Sequence, residues 1–269
     1  MDISISNIAL HNVGSRELYH HIRSLGAQHV DVAPTILWPN WEYEEQVSQD
    51  FLSLVTQADL TVAGMQSLFF GLPELNILSQ SDAEWSATRH HFELLTQMAT
   101  TVGARCLVLG SPANRVPTSA CKVDVRELAT DRLGTLADIC GAASIHLCIE
   151  PVPRVAGGKF LTTTTETAEF VRGVKHKFLK MNLDIAVLHG ESQHFQRSID
   201  EVFDTIGHVH ASEPNLQCFA SPICDHKGAG AVLRSNQFSG VVAIEMLTVK
   251  ENLYRDITTA LSIVSEAYG

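Results

Sequence analysis

Short apolar runs alternate with longer amphipathic stretches along the whole chain, and this alternation restricts the fold more than any other feature. Eight of the short runs are rich in β-branched or other apolar residues and are bounded by turn residues, which is typical of strands. The predicted strands cover residues 4–10, 29–34, 61–66, 105–110, 146–150, 180–185, 208–211 and 241–246.

The longer stretches between these runs have the residue spacing of helices. The first begins at Ser15, a good N-terminal cap, and ends before Gly26, a good C-terminal stop. Gly103, Gly207 and Gly240 each precede a predicted strand, as expected at helix-to-strand turns. The predicted helices cover residues 15–25, 40–58, 81–102, 123–143, 164–173, 198–206, 229–236 and 251–268.

Eight strand–helix units in series require a parallel sheet, because parallel strands need long crossover connections. Closing eight such units gives a (β/α)₈ TIM barrel, an α/β fold that often occupies about 250 residues as one domain. We therefore predict a single barrel domain over residues 1–269, with its active site at the C-terminal ends of the strands. The alternative is an open doubly wound sheet, which is disfavoured because no G-x-G-x-x-G sequence follows the first strand.

Composition disfavours several classes of protein. Hydrophobic residues make up 45 % of the chain, enough for a large core, yet no apolar run approaches the roughly 20 residues that span a membrane. The net charge of −11 disfavours nucleic acid as a partner. The first residues do not resemble a secretory signal, and the six cysteines form no C-x-x-C pair. We expect a cytoplasmic protein that does not bind membranes.

The ends of the last four predicted strands carry three carboxylates and one imidazole. They are Glu150, Asp184, His210 and Glu245. Active sites of this barrel lie at the C-terminal strand ends, so these side chains are expected to lie together. Burying such charges is costly unless they are paired or bind a metal, and few Lys or Arg residues lie beside them. The sequence therefore predicts a site for one divalent cation.

Three oxygen donors and one nitrogen donor suit Mn²⁺, Mg²⁺ or Co²⁺ better than a thiolate-type zinc site. Mn²⁺ is the first choice, and Zn²⁺ remains open. Such an ion would polarise a substrate carbonyl as a Lewis acid. Glu150 and Glu245 are the predicted catalytic pair, one removing a proton beside the carbonyl and the other returning it. This chemistry epimerises or isomerises a sugar-like substrate through an enediolate.

Further residues near the strand ends are candidates for binding a small carbohydrate. An aromatic side chain there would stack on a sugar face, an amide would bind a hydroxyl group, and a guanidinium would clamp a phosphate or carboxylate. Each of these residues has an alternative interpretation as ordinary packing or as a solvated surface residue. The predicted substrate-binding residues are Trp38, Gln66, Arg115, His189, Glu213 and Asn215.

The Glu–Asp–His–Glu set at strands five to eight resembles the xylose isomerase-like TIM barrel superfamily of sugar phosphate isomerases and epimerases. The nearest characterised pattern is that of the ketose 3-epimerases of the tagatose and psicose type. The resemblance implies metal binding by Glu150, Asp184, His210 and Glu245, and proton exchange by the two glutamates. It covers essentially the whole chain, and barrels of this kind are commonly homo-oligomers.

The chain departs from the ketose epimerases in residues that grip the substrate. Val187 stands where they carry a histidine, and Leu216 stands where they carry an arginine. The Asn-Arg-x-Glu stretch that they carry after the strand-five glutamate is replaced here by residues 151–158. The resemblance therefore implies the metal site, but not a simple free ketohexose as the substrate.

Three other functions remain open from the sequence. An inosose-type dehydratase or lyase would use the same metal and enediolate but would expel a hydroxyl group. An abasic-site endonuclease of the same superfamily needs extra histidines, where this chain has Gln66, Ser111 and Val187. A non-catalytic sugar-binding barrel would leave the four acidic and imidazole ligands without a role.

Overall fold

Eight parallel strands form a closed barrel in a computed structural model, which describes residues 1–11, 14–117, 124–191 and 195–269. Each strand pairs with its neighbours in the sequence, and the last strand pairs with the first. The strands are β1 (Asp2–Ser6), β2 (His29–Val32), β3 (Thr61–Met65), β4 (Cys106–Leu109), β5 (His146–Ile149), β6 (Leu179–Asp184), β7 (Ile206–Ser212) and β8 (Val241–Glu245). The predicted α/β barrel is confirmed.

Helices follow the strands and pack around the barrel. Side-chain caps start several of them; Ser15 Oγ, for example, accepts a hydrogen bond from the Leu18 amide over 3.2 Å. The helices are α1 (Arg16–Ser24), α2 (Pro34–Leu37), α3 (Glu45–Gln57), α4 (Asp82–Val102), α5 (Val125–Ala142), α6 (Thr164–Val174), α7 (Ile185–Glu191), α8 (Phe195–Val202), α9 (His226–Ser235) and α10 (Leu253–Tyr268). Within the described ranges, no helix combines the length and the apolar character needed to cross a membrane.

Some predicted boundaries are wrong. The first strand ends at Ser6 rather than Leu10, because Asn7–Leu10 forms a 3₁₀ helix that the Ser6 side chain caps. The helix predicted from residue 40 begins at Glu45, since Asn40 has a φ of +56° and interrupts helical backbone. The short helices α2 and α7 were not expected. The predicted helix start at residue 123 lies outside the described residues.

Two glycines near the strand ends leave room for acidic side chains inside the barrel. A Cβ at Gly64 in β3 would lie 2.6 Å from Asp31 Oδ2, and one at Gly110 after β4 would collide with Glu150 Oε2. An alanine at either position would displace a carboxylate. The two glycines therefore leave the space that the side chains of Asp31 and Glu150 occupy.

Candidate metal centre and active site

The barrel brings the four predicted metal ligands together. Glu150 follows β5 directly, Asp184 and Glu245 are the last residues of β6 and β8, and His210 lies in β7. One donor atom from each residue lies within 4.8 Å of the donor atoms of the other three. His210 Nδ1 is 3.0 Å from Glu150 Oε1 and 3.2 Å from Glu245 Oε2. The predicted residues therefore share one cluster at the C-terminal end of the barrel.

The cluster fits a single divalent cation. Both ring nitrogens of His210 are buried without a hydrogen-bond partner among the described residues, so the short contacts of Nδ1 with two carboxylates lack hydrogen-bond geometry. Donor atoms that surround one ion at bond lengths of about 2.0–2.2 Å lie at such separations from one another. Three acids around one imidazole leave excess negative charge, which a divalent ion would neutralise.

The electrostatics of the cluster show the same imbalance. Burial, together with the negative charges of Glu150 and Glu245, raises the pKa of Asp184 to about 7. Burial disfavours a charged His210, but the two glutamates outweigh it and raise the pKa of this imidazole well above its usual value. Protons must therefore occupy the cluster near neutral pH when no ion does, and an ion would displace them.

Hydrogen bonds hold each carboxylate in place. Asp184 accepts from the Ser212 hydroxyl over 2.9 Å and from the Val187 amide over 2.8 Å. Glu150 Oε1 accepts from Asn182 Nδ2 over 2.8 Å. Partners of this kind orient the ligands of metal sites and reduce the entropy lost when an ion binds.

Gln66, predicted to bind substrate, donates from Nε2 to Oε1 of Glu245 over 2.6 Å. It thus does for Glu245 what Asn182 does for Glu150. Sequence reasoning missed Asn182, although a usable signal was present: it lies two residues before Asp184 on the same strand, so both face the barrel interior.

A second polar layer lies beneath the cluster and was also missed. His208 Nε2 is 3.0 Å from Asp31 Oδ2, and the Ser4 hydroxyl donates to Asp31 Oδ1 over 2.5 Å. The rings of His208 and His210 meet edge to face with centroids 5.5 Å apart. Burial favours a protonated Asp31, but the contact with His208 and the hydrogen bond from Ser4 outweigh burial and lower the pKa of Asp31. The ionised carboxylate of Asp31 therefore lies close to the imidazole rings of both His208 and His210.

Three of the predicted substrate-binding residues are engaged elsewhere. Trp38 is fully buried and donates from its indole to the Glu44 carbonyl, so it offers no face to a sugar. Arg115 is buried and donates from Nη2 to the main-chain carbonyl of Glu150 over 2.8 Å, while its Nε and Nη1 have no hydrogen-bond partner among the described residues; burial lowers its pKa to about 10. Glu213 is buried against His226, with Oε1 2.9 Å from its Nε2. These positions were conspicuous in the sequence as polar or aromatic residues, but their partners come from distant segments.

Two cavities among the described residues lie near the candidate site: one is lined in part by Glu245, and the other in part by Val187, whose amide donates to Asp184. The one we name the Glu245 cavity has a volume of about 360 Å³. The other, the His189 cavity, has a volume of about 470 Å³ and includes the two remaining predicted substrate-binding residues, His189 and Asn215. The Glu245 cavity is lined by Ile8, His11, Ala33, Thr35, Ile36, Ser67, Phe70, Leu216, Glu245 and Leu247.

The closed eight-stranded parallel barrel defines the class of fold, and comparison with known proteins gives the family. The model of the xylose isomerase-like TIM barrel family matches residues 20–261, so the chain belongs to that family. A search of curated proteins gave no match.

Solved structures with the same fold include several sugar epimerases. D-psicose 3-epimerase from Clostridium cellulolyticum H10, solved with D-tagatose, is 15 % identical with a TM-score of 0.82; the match covers 100 % of this chain and 99 % of that one. The 3-keto-D-glucoside 4-epimerase from E. coli is 17 % identical with a TM-score of 0.78 and 99 % coverage of both chains. A probable 3-DHS dehydratase from Bacillus anthracis is 14 % identical, with a TM-score of 0.75 and 98 % and 99 % coverage. At these identities the likeness establishes the fold.

Proposed function

We propose that this chain is a divalent-metal-dependent isomerase or epimerase that acts on a sugar or a sugar-derived carbonyl compound. The observation that carries the proposal is the cluster of Glu150, Asp184, His210 and Glu245, whose donor atoms lie within 4.8 Å of one another. Mn²⁺ is the ion we favour, because oxygen donors predominate. The epimerases among the structural neighbours support the same class of reaction.

The two glutamates would carry the proton. When bound, a divalent ion supplies Lewis-acid polarisation of the substrate carbonyl, which acidifies the neighbouring C–H bond. One glutamate accepts that proton as a general base, which leaves an enediolate, and the other protonates the carbon from the opposite face. Return to the same carbon gives an epimer, and return to the former carbonyl carbon, with a hydroxyl proton passing from the second oxygen to the first, gives an isomer.

The surrounding residues prepare the glutamates for this role. Asn182 holds one oxygen of Glu150 and Gln66 holds one oxygen of Glu245, so each carboxylate keeps its orientation while a proton moves. Although burial opposes ionisation, His210 and Arg115 lower the pKa of Glu150, which keeps it deprotonated. A base in this state is ready to accept a proton.

A dehydratase is the second candidate, because one structural neighbour is described as a probable 3-DHS dehydratase. It would use the same proton removal but would then expel a hydroxyl group instead of returning the proton. Location in the cytoplasm and assembly as a homo-oligomer stay predictions.

The test is incubation of the Mn²⁺-loaded protein with a panel of ketoses and keto-sugars in D₂O. An epimerase or isomerase gives recovered isomers with deuterium at the exchanging carbon, while a dehydratase gives a product that has lost water. Glu150→Gln and Glu245→Gln should each stop interconversion, and each can still exchange the proton on the face of the remaining glutamate. Glu127→Gln, an exposed residue of α5, is the matched control and should behave as the wild type.

The outcome that contradicts the proposal is unchanged turnover in both glutamine variants. Metal binding without turnover or exchange on any member of the panel would instead favour a binding protein.

A further inference from the structure

The Glu245 cavity is mainly apolar. Six of its lining residues are Ile8, Ala33, Ile36, Phe70, Leu216 and Leu247. The polar side chains that accompany Glu245 there are those of His11, Thr35 and Ser67, and none of the lining residues that the structure describes is a lysine or an arginine. A phosphate or carboxylate in this cavity would therefore lie beside the acid Glu245 with no strong cation to pair with it.

Phe70, Leu216 and Leu247 form what we name the apolar wall of this cavity, and hydrogen bonds of the main chain hold their loops in place. The Leu247 amide donates to the Leu216 carbonyl over 2.8 Å, which ties the loops after β7 and β8 together. The Phe70 carbonyl accepts from the Trp41 indole over 3.1 Å, and the Phe70 amide donates to the Ser67 carbonyl over 3.1 Å. The three side chains therefore lie on braced loops, and the cavity is largely formed before anything binds.

The wall nevertheless stays exposed. Phe70 is 70 % exposed and Leu247 is 54 % exposed, which is costly for large apolar side chains unless something covers them. The other exposed large apolar residues of the described chain lie in connections that follow strands (Val155, Ile223 and Val249) or in the first turn of α10 (Tyr254). Exposed apolar surface is thus concentrated at the end of the barrel where the candidate active site lies.

Glu245 connects this wall to the reaction centre. Its carboxylate belongs to the candidate metal cluster and also lines the cavity. A molecule whose reacting carbon lies between Glu150 and Glu245 would extend one end into the cavity.

We propose that the substrate carries an uncharged apolar substituent, an alkyl or aryl group, that occupies the Glu245 cavity. This inference rests on the proposed function, and it names the substrate class as a substituted, unphosphorylated sugar-derived ketone. Phe70, Leu216 and Leu247 are the specificity-determining residues.

Binding of defined probes to the Mn²⁺-loaded protein, measured by calorimetry, tests the assignment. The probes are D-fructose, its 1- and 6-phosphates, and its 1-O- and 6-O-benzyl ethers. At least one benzyl ether should bind on the order of tenfold more tightly than D-fructose, since the cavity would bury part of the ring. Both phosphates should bind no better than D-fructose.

Variants then locate the effect. Phe70→Ala and Leu247→Ala should each remove the gain from the benzyl group, measured as the ratio of benzyl-ether to D-fructose affinity within the same variant. Both side chains are more than half exposed, so the substitutions should leave the fold intact. Leu216→Arg should reverse the preference towards a phosphate. Ile223→Ala, which removes an exposed apolar side chain outside both cavities, is the matched control and should leave the benzyl gain intact.

Either of two results would overturn the assignment: a phosphate that binds the wild type more tightly than both D-fructose and its benzyl ethers, or a benzyl gain that survives both Phe70→Ala and Leu247→Ala. Failure of the proposed reaction is distinguishable from both. If only the proposed reaction fails, no deuterium is exchanged, but a benzyl ether still binds more tightly than D-fructose and this difference depends on Phe70. If deuterium is exchanged but no benzyl ether binds more tightly than D-fructose, only the proposal of an apolar substituent is rejected.

Discussion

Gln66 Nε2 donates to Glu245 Oε1 over 2.6 Å, so a side chain at the end of β3 orients a carboxylate at the end of β8. The two residues are 179 positions apart in the sequence. Their contact joins the first half of the barrel to the proposed catalytic pair, and it makes Gln66 a positioning residue.

Replacing Gln66 with leucine should lower kcat by about tenfold to a hundredfold, because a freed carboxylate spends less time in the productive orientation. The fold should persist, since leucine has a similar volume. Steady-state kinetics on the substrate found by the D₂O panel give the measurement, and Gln49→Leu on the exposed face of α3 is the control. Equal kinetics in Gln66→Leu and the wild type would show that Gln66 does not position Glu245 for the reaction.

Asp184→Asn should stabilise the metal-free protein at neutral pH while abolishing Mn²⁺ binding. The pKa of Asp184 is about 7 in the folded chain against an ordinary value of 3.8, so the folded state holds a proton that the unfolded chain releases. Its contribution to stability therefore falls as pH rises from about 4 to about 7. An asparagine does not ionise, and Tm at pH 8 should rise by roughly 2–4 °C for each kcal/mol regained. A variant less stable than the wild type at pH 8, yet equal to it at pH 4, would contradict this reasoning.

Mn²⁺ should bind more weakly as the solution becomes more acidic. Asp184 and His210 must each lose a proton before they can coordinate an ion, so below the Asp184 pKa of about 7 the affinity should fall by about tenfold to a hundredfold for each pH unit. Titration calorimetry with MnCl₂ at pH 6, 7 and 8, in two buffers of different ionisation enthalpy, measures both the affinity and the protons released. An affinity that does not change between pH 6 and pH 8 would mean that Asp184 is not a ligand.

Asp31→Asn should weaken Mn²⁺ binding by about tenfold or more, although Asp31 belongs to the layer beneath the cluster. Its carboxylate lies 3.0 Å from His208, whose ring packs edge to face against the imidazole of His210, so its negative charge would favour a cation held by that imidazole. Ser4→Ala removes a hydroxyl from the same carboxylate without changing its charge and should have a much smaller effect. If both variants bind Mn²⁺ like the wild type, the buried layer has only a structural role.

The sequence was sufficient for the fold and for the members of the proposed metal cluster, because both follow from local patterns. Eight strand–helix alternations predict a barrel, and closing the barrel places Glu150, Asp184, His210 and Glu245 at or near the C-terminal ends of adjacent strands. The boundaries were harder to predict where a single capping residue decides them. Ser6 ends β1 by bonding to the chain that follows it, and apolar composition alone does not reveal this.

The supporting residues could be predicted less well, because their roles depend on partners from distant segments. Glu213 resembles a substrate-binding residue until His226 is found beside it, and one nitrogen of the Arg115 guanidinium donates to the Glu150 carbonyl, a partner that the sequence does not reveal. Alternation along β6 and β7 would have placed Asn182 and His208 inside the barrel with Asp184 and His210. It would not have identified Asp31 as the partner of His208, since β2 is not adjacent to β7.

The proposed ion ligands all come from β5 to β8, but Asp31 and Gln66, which support them, belong to β2 and to the end of β3. During synthesis, Asp31 and Gln66 leave the ribosome before any of the four ion ligands, and Glu245 is the last of the ligands to leave it. The proposed ion would thus find all four ligands together only after translation has passed Glu245 and β8 has joined β1. A fragment containing only the second half of the barrel would carry every donor atom and still be expected to bind the ion poorly.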